Sequence, residues 1–130
     1  MKITSEHFKR FQNACERLIY AAGLVHYGRG YIQDSEIKFA ELDVDFELLQ
    51  AIFSLTSRDL SGQDMQIFRS PEHMAIHEVG HLLIAELTSL ADEADVEKAE
   101  KEDQLIAQRL ENLICSLLTD KQVREIGRAK

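Results

Sequence analysis

Residues 71–90, PEHMAIHEVGHLLIAELTSL, constrain this chain more than any other stretch. At helical spacing, Met74, Ile76, Val79, Leu82, Leu83, Ile84 and Leu87 cover most directions around the axis. A helix that is apolar nearly all round belongs in the centre of a fold, not on its surface. Its start is well marked. Ser70 can cap it, Pro71 fits the first helical position, and Glu72 places an acid in the first turn. The same helix carries His77, Glu78 and His81, and buried polar groups need partners.

The rest of the chain predicts what surrounds this helix. Thr4 or Ser5 can cap an N-terminal helix in which Phe8, Phe11, Cys15, Leu18, Ile19 and Ala22 recur at helical spacing, and Gly23 ends it. Gly28 and Gly30 flank Arg29 as in a turn or irregular link. From Tyr31 to Thr56 the pattern reads as a small antiparallel sheet. Ile37, Phe39, Leu42, Val44 and Phe46 alternate with charged residues, residues 48–55 form a second strand or a short helix, and Asp45–Glu47 is the turn. Residues 57–70 read as a polar loop and residues 91–96 as an acidic connector. A last helix is predicted over about 97–126, with Gly127 able to end it. The expected fold class is thus α+β: an N-terminal helix, a small antiparallel sheet over about 31–56, the helix over about 71–90 and a long C-terminal helix.

Composition narrows the function classes. With 130 residues, 45% of them hydrophobic and 29% charged, one domain with its own core is the expectation. A formal net charge of -8 disfavours direct binding to a phosphate backbone. Lys121, Arg124, Arg128 and Lys130 gather at the C-terminus, where they suit a helix dipole better than DNA. Cys15 and Cys115 lack the spacing of a zinc or disulfide framework and read as buried free thiols. No run is long enough for a membrane span, and MKITSEHFKRF has no apolar run behind its charges, so a cytoplasmic location is expected.

His77-Glu78-Val79-Gly80-His81 is an HExxH pattern. Residues four apart on a helix share a face, so both imidazoles can address one ion. Glu78 lies beside that ion, where it suits a general base acting on metal-activated water. Gly80 keeps the helix surface low between the two histidines. A catalytic zinc needs a third protein ligand and an open position. His73 is a poor choice, because eight residues separate it from His81, about 12 Å along the axis. With a short connector, the two C-terminal helices should pair as an antiparallel hairpin, which puts the histidines level with about residue 108. Glu111 is then about 4.5 Å from that level and Asp103 about 7.5 Å, at roughly 1.5 Å per residue. Level favours Glu111, whereas orientation favours Asp103, which lies in the middle of the apolar stripe Ala99, Ile106, Leu110, Leu113 and Leu117 while Glu111 lies at its edge. Asp103, Glu100 and Glu102 remain open, and the bland alternative for Glu111 is a half-exposed surface acid.

HEVGHLL, the acidic connector, the later RLENLI and the opening EHFKRFQNACERLIYAAGL together resemble the small HExxH metallopeptidase-like proteins of phage and prophage genomes. These are minimal zincins, similar to SprT-like and gluzincin-type domains. The resemblance covers both ends and the centre of the chain. It implies a zincin-like fold with Zn2+ held by His77, His81 and Glu111 of RLEN, and with Glu78 as base. The resemblance supplies no particular substrate; a peptide or protein substrate is the expectation of the metallohydrolase reading. His26, Tyr27, Tyr31 and His73 are candidate helpers for the oxyanion, and a free strand edge within 31–56 suits an extended peptide. Two rivals stand beside this reading. One is a degenerate zincin-fold protein of phage origin that binds metal or a protein partner. The other is a MazG-like nucleotide pyrophosphohydrolase built on Glu78, Glu100, Glu102, Asp103 and Glu111, against which two imidazoles at i, i+4 argue, since they favour zinc over magnesium.

Overall fold

The computed structural model describes residues 1–89, then Gln104, Ala107, Gln108 and Glu111, then residues 120–127. The connector 91–96, the candidate acids Glu100, Glu102 and Asp103, Cys115 and much of the helix expected over 97–126 lie outside them.

The first helix, α1 (Ser5–Ala21), begins at a reciprocal cap. Thr4 accepts the His7 amide on its side chain, and the His7 ring accepts the Thr4 amide at 2.9 Å. Phe11, Ala14, Cys15 and Ile19 form its buried stripe. Gly23 adopts φ 72, a left-handed conformation in which glycine carries no steric penalty, and lets the Leu24 amide reach back to the Ile19 carbonyl at 2.9 Å.

Three strands follow: β1 (Gly28–Asp34), β2 (Ala40–Asp45) and β3 (Gln50–Thr56). They form one sheet in the order β1-β3-β2. β2 and β3 pair antiparallel with Asp45 opposite Gln50, as the expected turn requires, and Asp45 Oδ1 accepts the Glu47 and Leu48 amides inside that turn. The sheet is nevertheless mixed, not antiparallel, because β1 runs parallel to β3. β1 reaches back to Gly28, so Gly28-Arg29-Gly30 is strand and not an irregular link. Packing supplies the reason. A Cβ on Gly30 would lie 2.7 Å from Ile52 Cδ1, so glycine here lets the neighbouring strand's side chain close over the backbone.

The expected loop 57–70 also contains a helix, α2 (Gly62–Phe68), with Ser61 accepting the Asp64 amide at 3.1 Å. Its reward is tertiary: Phe68 is wholly buried and its ring lies 6.4 Å from that of Phe39. The central helix, α3 (Pro71–Ser89), starts where the caps predict, with the His73 amide donating to Ser70 Oγ. A short helix, α4 (Asp120–Ile126), closes the described chain. The described residues thus form a mixed α+β structure with four helices and three strands. No described helix is long and apolar enough to cross a membrane.

The core joins α1, β3 and α3: Phe11, Cys15 and Ile19 meet Phe53, Leu55, Met74, Val79 and Leu82. A charge pair sits at its edge. Glu72 is 0% exposed, and Arg10 holds both its oxygens, at 2.9 and 2.6 Å. The C-terminal end of the described chain closes over this pair. A Cβ on Gly127 would lie 2.2 Å from Glu72 Oε2 and 2.8 Å from the Arg10 carbonyl, so only glycine fits. Asn13 donates to the Gly127 carbonyl at 3.1 Å and Arg17 to the Glu125 carbonyl at 2.7 Å, so α1 supplies donors to the end of α4.

Breaking a buried pair by removing one partner typically costs about 3–5 kcal/mol, because the remaining charge is stranded. Arg10→Ala should lower stability by about that amount in urea denaturation. Adding Glu72→Gln should recover part of the loss, since the neutral amide is cheaper to bury than an unpaired carboxylate. A loss under about 1 kcal/mol for Arg10→Ala would mean that water reaches Glu72.

Candidate metal centre and active site

His77 and His81 sit one turn apart on α3 with ring centroids 4.6 Å apart and planes at 80°. Their Nε2 atoms approach to 2.9 Å. Two imidazole nitrogens on one tetrahedral zinc, each at about 2.0–2.1 Å, are about 3.3 Å apart. The separation of the two outer nitrogens is within a few tenths of an ångström of what a shared ion would require. The donor set, two imidazoles, also suits zinc.

Glu111 joins them. Its Oε2 lies 2.7 Å from His77 Nδ1, the other nitrogen of the same ring. The contact makes Nδ1 the protonated position and leaves the Nε2 lone pair for a ligand. Glu111 is 5% exposed, so it is a buried partner and not a surface acid. Ala107 lies over Gly80, 3.8 Å from where a Cβ would stand. Position 107 thus faces 80 while 111 faces 77, and the two segments run in opposite directions. Glu111 lies at the level of His77, while the connector of the expected hairpin lies outside the described residues. Among the described residues no three His, Cys, Asp or Glu side chains converge on one point.

Glu78 is buried at 6% exposure yet faces two clefts. One, of about 320 Å³, is lined by Phe39, Arg69, Met74, His77, Glu78 and Glu111 among others. The other, of about 370 Å³, runs along Glu41, Leu42 and Val44 past His77, Glu78 and His81. Ala40 borders both, so β2 forms one wall of the pair. β2 is the edge of the sheet, and among the described residues no strand pairs with its outer side.

The expected oxyanion helpers lie elsewhere. The His73 ring meets Ser70 Oγ at 2.5 Å and lines a separate cleft with Arg69 and Arg124. His26 pairs with Glu86 at 2.7 Å. Tyr27 is buried beside His26, and the Tyr31 hydroxyl donates to Glu16. Glu16 is held below the usual carboxylate range, chiefly by hydrogen bonds from Arg29. Burial, then the bond to Glu16, pushes the Tyr31 hydroxyl far up, so it stays protonated. None of these four residues borders the two clefts at Glu78.

Sequence reading missed Arg69. It adopts φ 61 and ψ -67, and the Ser70 amide bonds to the Phe68 carbonyl across it at 2.7 Å. This is a γ-turn of the positive-φ kind, which is rare and strained. For a side chain other than glycine such a backbone costs on the order of 1–3 kcal/mol. No motif marks it. Only the junction of α2 with the Ser70 cap of α3 forces the turn.

Behind Glu78 lies Cys15. Burial, then the negative charges of Glu78 and Glu16, pushes its thiol well above the ordinary value. The folded state therefore holds this proton more tightly than the unfolded chain does. That stabilisation is complete below the ordinary thiol value of about 8.5 and is lost as pH rises beyond it. At pH 8 the native protein should take up no iodoacetamide at Cys15 in the time that urea-unfolded protein is fully modified, read by mass spectrometry of the Cys15 peptide. Equal labelling in both states would show that this core opens readily.

No protein-family model, curated protein or solved structure matches the chain.

Proposed function

We propose that the chain is a zinc-dependent hydrolase of peptide bonds with a zincin-like arrangement. The observation that carries the reading is the convergence of His77 and His81 through Nε2 at 2.9 Å, with Glu78 beside them where two clefts meet. Zinc at that point would supply a Lewis acid and lower the pKa of water toward about 7. Glu78 would take the proton from the attacking water and return it to the leaving amine. Its burial keeps the carboxylate among few competing solvent molecules. Among the described residues no strand pairs with the outer side of β2, so an extended peptide added at that edge would cross Glu78.

Glu111 has two roles to choose between. The resemblance implies a third zinc ligand. The contact at Nδ1 supports an orienting role instead, fixing the His77 tautomer and ring plane. Direct ligation would need the carboxylate to reach round to the Nε2 side of the ring. We favour the orienting role; the third ligand then falls to none of the described residues, and the candidates Glu100, Glu102 and Asp103 lie outside them.

Metal analysis of protein purified without chelator or nickel affinity tests both statements. One zinc per chain is expected, lost in His77→Ala and His81→Ala. Glu111→Gln should keep zinc but bind it about 10–100-fold more weakly. Stoichiometric loss of zinc in Glu111→Gln would restore the third-ligand role. Glu78→Gln should retain zinc while peptide hydrolysis falls by about 100-fold or more. No zinc even after zinc is added back would sink the hydrolase and leave the interaction-protein reading.

A further inference from the structure

We propose that the edge of β2 selects the substrate: it takes extended peptides with lysine or arginine at alternate positions, held by the Glu41 and Asp43 carboxylates. The inference rests on the hydrolase reading for the word substrate, but not for the contact between a basic peptide and the strand.

The alternation of β2 sets the register. Ala40, Leu42 and Val44 are half-buried and pack against the core, while Glu41 and Asp43 are exposed on the opposite side. Glu41 stands beside Ser54 of β3, and Asp43 beside Ile52. Glu41 also borders the cleft of about 370 Å³ that holds His77, Glu78 and His81. Among the described residues no strand pairs with the outer side of β2. A peptide added there continues the pleat, and residues beside each other on neighbouring strands point to one face, whichever way the peptide runs. Two side chains separated by one residue therefore come to stand beside Glu41 and Asp43. The residue between them points to the other face, which carries Ala40, Leu42 and Val44.

Charge names the occupant. Among the described residues no hydrogen bond or ion pair holds the Glu41 or the Asp43 carboxylate. Asp45, the next acid on the same face, is taken up by the Glu47 and Leu48 amides of the turn. No lysine or arginine occurs among the described residues that line the cleft along β2. The formal net charge of -8 draws a cationic peptide in from a distance and repels an anionic one. The same acids disfavour a second copy of the chain at this edge, because pairing β2 with β2 would set carboxylate beside carboxylate. A strand with cations at alternate positions meets both carboxylates at once. A strand with two adjacent cations meets one of them and turns the other cation to the apolar face.

Zinc-loaded Glu78→Gln protein, which binds without cutting, tests the register. The probes are fluorescein-labelled, alanine-based octapeptide amides. One has lysines at the fourth and sixth positions, one has them at the fourth and fifth, and one has glutamates at the fourth and sixth. In about 0.15 M salt, where attraction between distant charges is screened, anisotropy reads the local contacts. The alternate-lysine probe should bind about three- to tenfold tighter than the adjacent-lysine probe of equal charge, and the glutamate probe weakest. The difference should vanish when Glu41→Gln and Asp43→Asn are added together. Glu41→Lys with Asp43→Lys should reverse the order and favour the alternate-glutamate probe, a result that no folding defect can give. Equal binding of the two lysine probes overturns the proposal, as does a preference that survives neutralisation or fails to reverse. Cleavage of both lysine probes with equal kcat/KM by protein with Glu78 intact would keep the hydrolase and overturn the selective edge. A preference that depends on Glu41 and Asp43, with no cleavage of any probe by that protein, would fell the hydrolase reading alone.

Discussion

An almost wholly buried helix must find a partner for every ionisable group it carries. That constraint organises this structure. α3 brings Glu72, His73, His77, Glu78 and His81 inside the protein or to the floor of a cleft. Leaving a charge buried and unpaired costs several kcal/mol, more than one hydrophobic contact returns. Each neighbouring element therefore meets α3 at a polar group as well as at apolar ones. α1 supplies Arg10 to Glu72, the Ser70 cap engages His73, and Glu111 answers His77.

The site follows from these pairings. Gly80 removes one side chain from the α3 surface, and Ala107 lies over the gap. Close approach there brings Glu111 to His77 Nδ1 and leaves the two Nε2 atoms facing each other. On the other side, β2 turns Ala40, Leu42 and Val44 inward and Glu41, Asp43 and Asp45 outward. An edge strand beside a pair of imidazoles and a buried carboxylate makes a groove with chemistry on its floor and hydrogen-bonding backbone on its wall. α2 and the strained turn at Arg69 border one of the two clefts.

Local signals were legible where one residue type has one physical use. Thr4, Gly23, Ser70 and Pro71 act in the structure as their cap chemistry predicts. Rise per residue, taken with an antiparallel hairpin, put Glu111 about 4.5 Å from the level of the two histidines. β1 and α2 were not legible. Gly28 and Gly30 carry turn chemistry, and it is their pairing with Gln50 and Ile52 of β3 that makes them strand. The SGQDMQIF stretch is short and polar, and it becomes α2 because Phe68 finds Phe39. Short apolar runs have no period long enough to decide between loop and element, so tertiary burial decides.

By itself, then, the sequence determined that one helix is central, where it starts, and that it presents two imidazoles and a carboxylate on neighbouring faces. Those properties are set by dihedral preference and a period of 3.6 residues, which act within a few residues of each position. Only tertiary structure decided that β1 lies parallel to β3, that Glu72 is clamped by Arg10 under Gly127, that Glu111 meets the far nitrogen of His77, and that Arg69 stands over the cleft. Each of these depends on which face meets which. That choice is made by the simultaneous burial of residues far apart in the chain, which no local window contains.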